Sequence, residues 1–118
     1  MVGADEMAGI LEEFAGRFNA NPQLVQMASG WERNLVVRAT DAGWRLGLEV
    51  AGGRVRLLGD GATAAAQIVL EAESETLAAI FRGELSPTDP YLDGSLIVRS
   101  SEADMMKLDV FTLMVWGE

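Results

Sequence analysis

Residues 74–108, SETLAAIFRGELSPTDPYLDGSLIVRSSEADMMKL, decide the fold. Leu77, Ile80 and Phe81 recur at helical spacing after Ser74, which is able to cap, and Gly83 ends that helix. Ser86, Pro87 and Asp89 have the spacing of a capping box with proline in the first turn, and Gly94 closes the short helix that follows. Leu96 and Val98 alternate as a strand. Ser101 and Asp104 form a further capping box, which starts a last helix from about Glu102 to Trp116. Beyond Lys107 this helix is apolar on nearly every side, interrupted only by Asp109 and Thr112. Such a helix must be covered on more than one face, by sheet and helices, by a ligand or by a second subunit. Nothing polar in the stretch resembles a catalytic set. Its apolar residues read as a lid and a wall around a greasy interior.

Upstream, Met7, Ile10, Leu11, Phe14 and Phe18 form the apolar stripe of an amphipathic helix from Asp5 to Phe18. Asn21 followed by Pro22 caps a second, short helix through Leu24, Val25 and Met27, which ends near Gly30. The period then changes to two. Leu35, Val37 and Ala39 point one way, and Trp44, Leu46, Leu48 and Val50 form the next strand. Gly52 and Gly53 make a two-residue hairpin into Val55 and Leu57. Gly59, Asp60 and Gly61 and the alanine-rich Ala62–Ala66 connect this meander to a fourth strand near Ala66–Ala72, with Ile68 and Leu70 inward. The expectation is one α+β domain over residues 1–118: a five-stranded, mainly antiparallel sheet with helices packed on one face.

Composition narrows the function. The chain has no cysteine and no histidine, which removes disulfides, thiolate chemistry, the usual general base and the commonest metal ligand. No cofactor, metal or catalytic residue is therefore expected. A formal charge of −9 opposes nucleic acid and anionic lipid as partners. No apolar run is long enough to span a membrane and no secretory pattern opens the chain, so stable membrane insertion is not expected and the cytoplasm is the expected compartment. The charge is uneven: residues 31–59 carry a net +2 and the remainder −11.

The order of these elements, with Leu70-Glu71-Ala72, Leu77, Ile80, Gly83-Glu84-Leu85-Ser86-Pro87, Tyr91-Leu92-Asp93-Gly94-Ser95-Leu96-Ile97-Val98 and Ala103-Asp104-Met105-Met106-Lys107-Leu108, resembles the sterol carrier protein family. These are small lipid-transfer domains, found alone in bacteria and fused to peroxisomal enzymes in animals. The acidic first helix, Asn19-Ala20-Asn21-Pro22 and the meander extend the likeness over nearly the whole chain. The chain departs from the family at Ser100 and Ser101, where glycine and aspartate are frequent. Nor does it end in a peroxisomal tripeptide of the Ser-Lys-Leu type. The resemblance implies an apolar tunnel between sheet and helices, and a non-enzymatic carrier of a fatty acid, acyl thioester, phospholipid tail or sterol.

Candidate lining residues are Leu35, Trp44, Leu46, Leu48, Ile68, Leu70, Leu77, Ile80, Phe81, Met105, Leu108 and Phe111, all of which equally describe an ordinary core. Arg38, Arg45, Arg54 and Arg56 should share the opposite sheet face with Val36, Val69 and Ile97. That face reads either as solvated cross-strand pairs, such as Arg45 or Arg56 with Glu49, or as the seam of a homodimer. Two other readings stand beside the carrier. One is a structural dimerisation module. The other is a small isomerase-like cavity enzyme with Asp109 as base and Tyr91 as proton donor, which requires a buried acid among apolar residues.

Overall fold

The computed structural model describes residues 1–59 and 66–116. Residues 60–65 of the glycine- and alanine-rich connection, together with Gly117 and Glu118, lie outside the described residues. The elements are α1 (Ala4–Asn19), α2 (Pro22–Met27), β1 (Arg33–Ala39), β2 (Arg45–Ala51), β3 (Arg54–Gly59), β4 (Ile68–Ala72), α3 (Ser74–Phe81), α4 (Thr88–Asp93), β5 (Ile97–Arg99) and α5 (Glu102–Trp116). One five-stranded sheet runs in the order β3-β2-β1-β4-β5. All neighbours are antiparallel except β1 and β4, whose parallel register sets Leu35 beside Ile68 and Val37 beside Leu70. The expected α+β class and mainly antiparallel sheet are what the structure shows.

Alternation along the strands sends Leu35, Val37, Leu46, Leu48, Val50, Val55, Ile68 and Leu70 to one face, where they are buried under the helices. α1 buries Met7, Leu11, Phe14, Ala15 and Phe18, the spacing of a single helical stripe, and packs across β3. α3 buries Leu77, Ala78, Ile80 and Phe81 against β1 and β4. In α2, Asn21 accepts from the amides of Gln23 and Leu24, with Pro22 at the first helical position as expected. The hairpin glycines Gly52 and Gly53 have φ of 60° and 76°, as a mirror-image two-residue turn demands. Gly53 has a second reason to lack a side chain, since a Cβ there would sit 2.5 Å from the carbonyl oxygen of Val25.

Two caps differ from expectation, those of α3 and α4. Ser74 is the first residue of α3 rather than its cap, and a side chain remote in sequence satisfies the free amide at this end. Asp41, from the turn after β1, accepts from the Ser74 amide at 2.8 Å and from its hydroxyl at 3.1 Å. Ser74 Oγ in turn accepts from the amide of Val2, which ties down the N-terminus. The hydrogen bond from the Ser74 backbone N–H holds the Asp41 carboxyl below its ordinary pKa. Ser101 accepts from the amide of Asp104, as its capping box predicts. Ser86 does not cap α4 as expected: Pro87 holds the cap position without a side-chain bond, and Ser86 Oγ accepts from the Thr88 amide two residues on.

Candidate functional site between the helices and the sheet

The gap between the two layers is lined only by apolar side chains. Phe14 and Phe18 come from α1, Phe81 from α3, and Leu108 and Phe111 from α5. The floor is Trp31 with Leu35, Leu48, Val50 and Val55 of the sheet. All four phenylalanines of the sequence join Trp31 in one aromatic row. Phe81 meets Phe14 edge-on at 5.1 Å between ring centres, Phe14 meets Phe18 at 6.4 Å, Phe18 meets Phe111 at 5.3 Å, and Phe111 meets Trp31 at 5.4 Å. The void these rings leave is about 20 Å³, room for about one water-sized sphere. Ligand pockets generally measure ~300–1,000 Å³. In this conformation the interior is closed, so the open tunnel implied by the resemblance is not present as such.

Of the expected lining residues, Leu35, Leu48, Phe81, Leu108 and Phe111 border the void. Leu46, Ile68, Leu70, Leu77 and Ile80 are buried without bordering it, because α3 lies directly on β1 and β4 and fills that half of the layer. Trp44 is only half-buried; its indole N–H reaches the carbonyl oxygen of Val2 at 2.9 Å and braces the N-terminus. Met105 faces a separate outer groove with Tyr91, Leu92 and Val98. The expectation missed Phe14, Phe18, Trp31, Val50 and Val55. The two phenylalanines were on the recognisable stripe of α1, but which part of the sheet that stripe covers is a long-range fact.

α5 closes the gap and is fastened at both ends. At its start Asp104, nearly buried, accepts from Trp31 Nε1 at 2.8 Å and from Arg33 Nε at 2.9 Å. Burial, the largest influence on this carboxyl, acts to raise its pKa; the donors Arg33, Trp31 and Ser101 and the guanidinium charge outweigh it and leave the pKa lowered. At its end Trp116 donates from Nε1 to the carbonyl oxygen of Phe81 at 2.8 Å, with the Arg17 guanidinium 4.1 Å above its ring. Between these fastenings Leu108, Phe111 and Val115 point inward while Met106, Val110 and Leu113 are exposed.

The helix-free sheet face is polar. Glu71 bridges Arg38 at 2.7 Å and Arg99 at 3.0 Å, and Arg56 pairs with Glu49 at 2.8 Å. The Arg99 hydrogen bond, opposed by burial and supported by Arg38, holds the Glu71 carboxyl below its usual range. Val36 and Val69 lie between these charges as expected. Asp109 is not a buried acid among apolar side chains: it is half-buried and accepts from Ser86 Oγ at 3.1 Å. It shares the wide groove between α4, β5 and α5 with Tyr91, which is exposed over less than half of its surface. Among the described residues no group of acidic side chains could hold a metal ion, and no helix is long and apolar enough to cross a membrane.

Comparison of this backbone with solved structures places it. A sterol carrier protein 2 crystal structure superposes with a TM-score of 0.68 over 91% of this chain and 90% of its own, at 19% identity. The chain has the sterol carrier protein fold. The UbiJ-SCP2 ubiquinone synthesis protein shares that fold with a TM-score of 0.71 and 20% identity, over 92% of this chain and 93% of its own. Palmitated SCP2L2 from Aedes aegypti does so with a TM-score of 0.62 and 15% identity, over 92% and 93%. The sec-alkylsulfatase Pisa1 from Pseudomonas sp. carries a similar unit within a larger chain. There the TM-score is 0.62 at 17% identity, and the match spans 75% of this chain but only 13% of the sulfatase. No protein-family model and no curated protein matches the sequence.

Proposed function

We propose that the chain is a non-enzymatic carrier that takes one long apolar molecule between α1, α5 and the sheet, where the void now lies. The observation that carries this reading is the aromatic row. The gap is walled by rings and aliphatic side chains without one polar group, under a helix that is apolar on its outer side as well. The phenylalanine rings have no hydrogen bonds to break when they part, and Trp31 keeps its bond to Asp104 when Phe111 moves away from it. A chain of about 16 carbons gains roughly 13 kcal/mol on leaving water, at ~0.8 kcal/mol per methylene, against ~4–15 kcal/mol for association and ordering. Binding then requires α5 or its side chains to give way, an opening that the ligand drives by its greater affinity for the open state.

Fatty acid, acyl thioester, phospholipid tail and sterol are the ligand classes in view. One neighbour of the same fold is palmitated and another is a ubiquinone synthesis protein, which supports testing acyl and polyprenyl chains first. Native mass spectrometry of the protein purified from a lipid-containing host is expected to show a fraction carrying a single acyl or prenyl adduct that organic extraction removes. Protein that emerges bare, and stays bare when palmitate or a short-chain ubiquinone is added, contradicts the carrier reading.

A further inference from the structure

Resting on the carrier reading, the geometry points to Phe111 as the gate of the interior and to the groove between α2 and α5 as the uptake route for an amphiphile with an anionic head and a long hydrocarbon tail. The groove measures about 430 Å³ and is formed by Met27 of α2 with Ala103, Met106, Lys107, Val110 and Phe111 of α5. Met27, Met106 and Val110 are exposed large apolar side chains. Phe111 belongs to both spaces: it floors this groove and also walls the void inside. One ring, itself 3% exposed, therefore stands between solvent and the interior.

That ring is held by edge contacts with Phe18 and Trp31. A helical phenylalanine has two low-energy χ1 settings, so the ring can swing without unwinding α5. With the ring withdrawn, groove and void become one apolar space of the size range of ligand pockets. The rim supplies the polarity for the head group. Lys107 is the only lysine of the sequence, and its Nζ lies 5.6 Å from the Trp31 ring centre. Arg33 approaches the same ring at 5.6 Å but is engaged by Asp104, whereas Lys107 makes no ion pair among the described residues. In a chain of net charge −9, an ammonium at the mouth of an apolar groove selects for a carboxylate or phosphate head, with the lysine stem lying along the greasy wall.

The test is stopped-flow uptake of cis-parinaric acid, a fluorescent long-chain carboxylate, by lipid-stripped protein, with the corresponding alcohol as the uncharged probe. Val110→Glu puts a charge in the mouth and is expected to slow uptake about tenfold, the equivalent of ~1.4 kcal/mol. Leu113→Glu, at a still more exposed site outside the groove, should leave the rate unchanged. Phe111→Leu keeps the interior filled while removing the ring, and should speed both uptake and release. Lys107→Gln should abolish a roughly twofold to fivefold preference for the acid over the alcohol, the scale of an exposed ion pair. Equal effects of Val110→Glu and Leu113→Glu, or no change of rate in Phe111→Leu, overturn the route while leaving the carrier intact. An unchanged acid preference in Lys107→Gln overturns the head-group assignment. Failure of the unaltered protein to take up either probe overturns the carrier reading and the route together.

Discussion

Replacing Gly83 with alanine is expected to destabilise the fold by about 2–5 kcal/mol, the sum of a left-handed backbone penalty and an overpacked contact. Gly83 follows α3 with φ of 78°, a region that side-chain-bearing residues occupy only at a cost. A Cβ at this position would lie 2.2 Å from Cγ and 2.4 Å from Cβ of Trp116. These are the root atoms of the indole, so the clash cannot be relieved by swinging a flexible tip. The whole side chain must leave, which gives up its bond to the Phe81 carbonyl oxygen and its stacking under Arg17. Urea unfolding should show the lowered midpoint, and hydrogen exchange should show the loss concentrated in the last turns of α5 and the end of α3. Alanine at 83 with unchanged stability would mean that Trp116 does not fasten the end of α5. On the proposed carrier reading, Gly83→Ala should also exchange ligand faster, since one fastening of α5 is gone.

The other fastening gives the second large effect. Asp104→Ala removes the acceptor of a buried indole N–H and the partner of Arg33 in one step, and should cost about 3 kcal/mol. That is the lower end for breaking a buried pair, because Arg33 keeps about a third of its surface in water. Asp104→Asn, which still offers an oxygen to Trp31, should cost less. The pH dependence separates charge from shape. The native pKa of Asp104 is lowered, so the unfolded chain, with an ordinary value near 3.9, binds its proton first as the pH falls. The contribution of the charge is therefore whole above about pH 4 and is lost as the pH drops through the native value. Unfolding free energies of the native chain and Asp104→Asn should differ most near neutrality and converge on acidification. Glu71, also lowered, contributes in the same window in both proteins and leaves that difference untouched. Parallel curves down to the acid limit would show that the carboxylate is not the group that matters.

Local rules read much of this fold. The α5 limits Glu102 and Trp116, the Asn21 cap and the Gly52-Gly53 hairpin all follow from spacing and backbone preference within a few residues. The resemblance to sterol carrier proteins, made on short motifs in the right order, agrees with the fold that the backbone shows. What could not be read depends on contacts across the chain. Asp104 looked like the second member of a capping box with Ser101, and half of that box is real; but its carboxylate points to Trp31 and Arg33, some seventy positions away. Asp41 caps α3 across 33 positions, a role no local pattern announces. Arg56, not Arg45, takes Glu49, because the β2–β3 register sets Glu49 opposite Arg56. The candidate site divided along the same line. Period two identified which strand residues face inward, yet whether an inward leucine borders a gap or fills a core depends on which helix lies over it. α3 covers Ile68 and Leu70, whereas Leu35 and Leu48 border the small void together with Phe14 and Phe18 of α1 and Leu108 and Phe111 of α5.

The claim at the centre is that the closed interior opens for a hydrocarbon chain at the aromatic row. It is tested most directly by titrating isotopically labelled, lipid-stripped protein with palmitate and following the side-chain resonances by NMR. The account predicts saturation at one ligand per chain, with ligand contacts to Phe18, Trp31, Leu48 and Phe111. Contacts confined to the outer grooves at Tyr91, Leu92 and Met105, with the rings of the row unmoved, would contradict it.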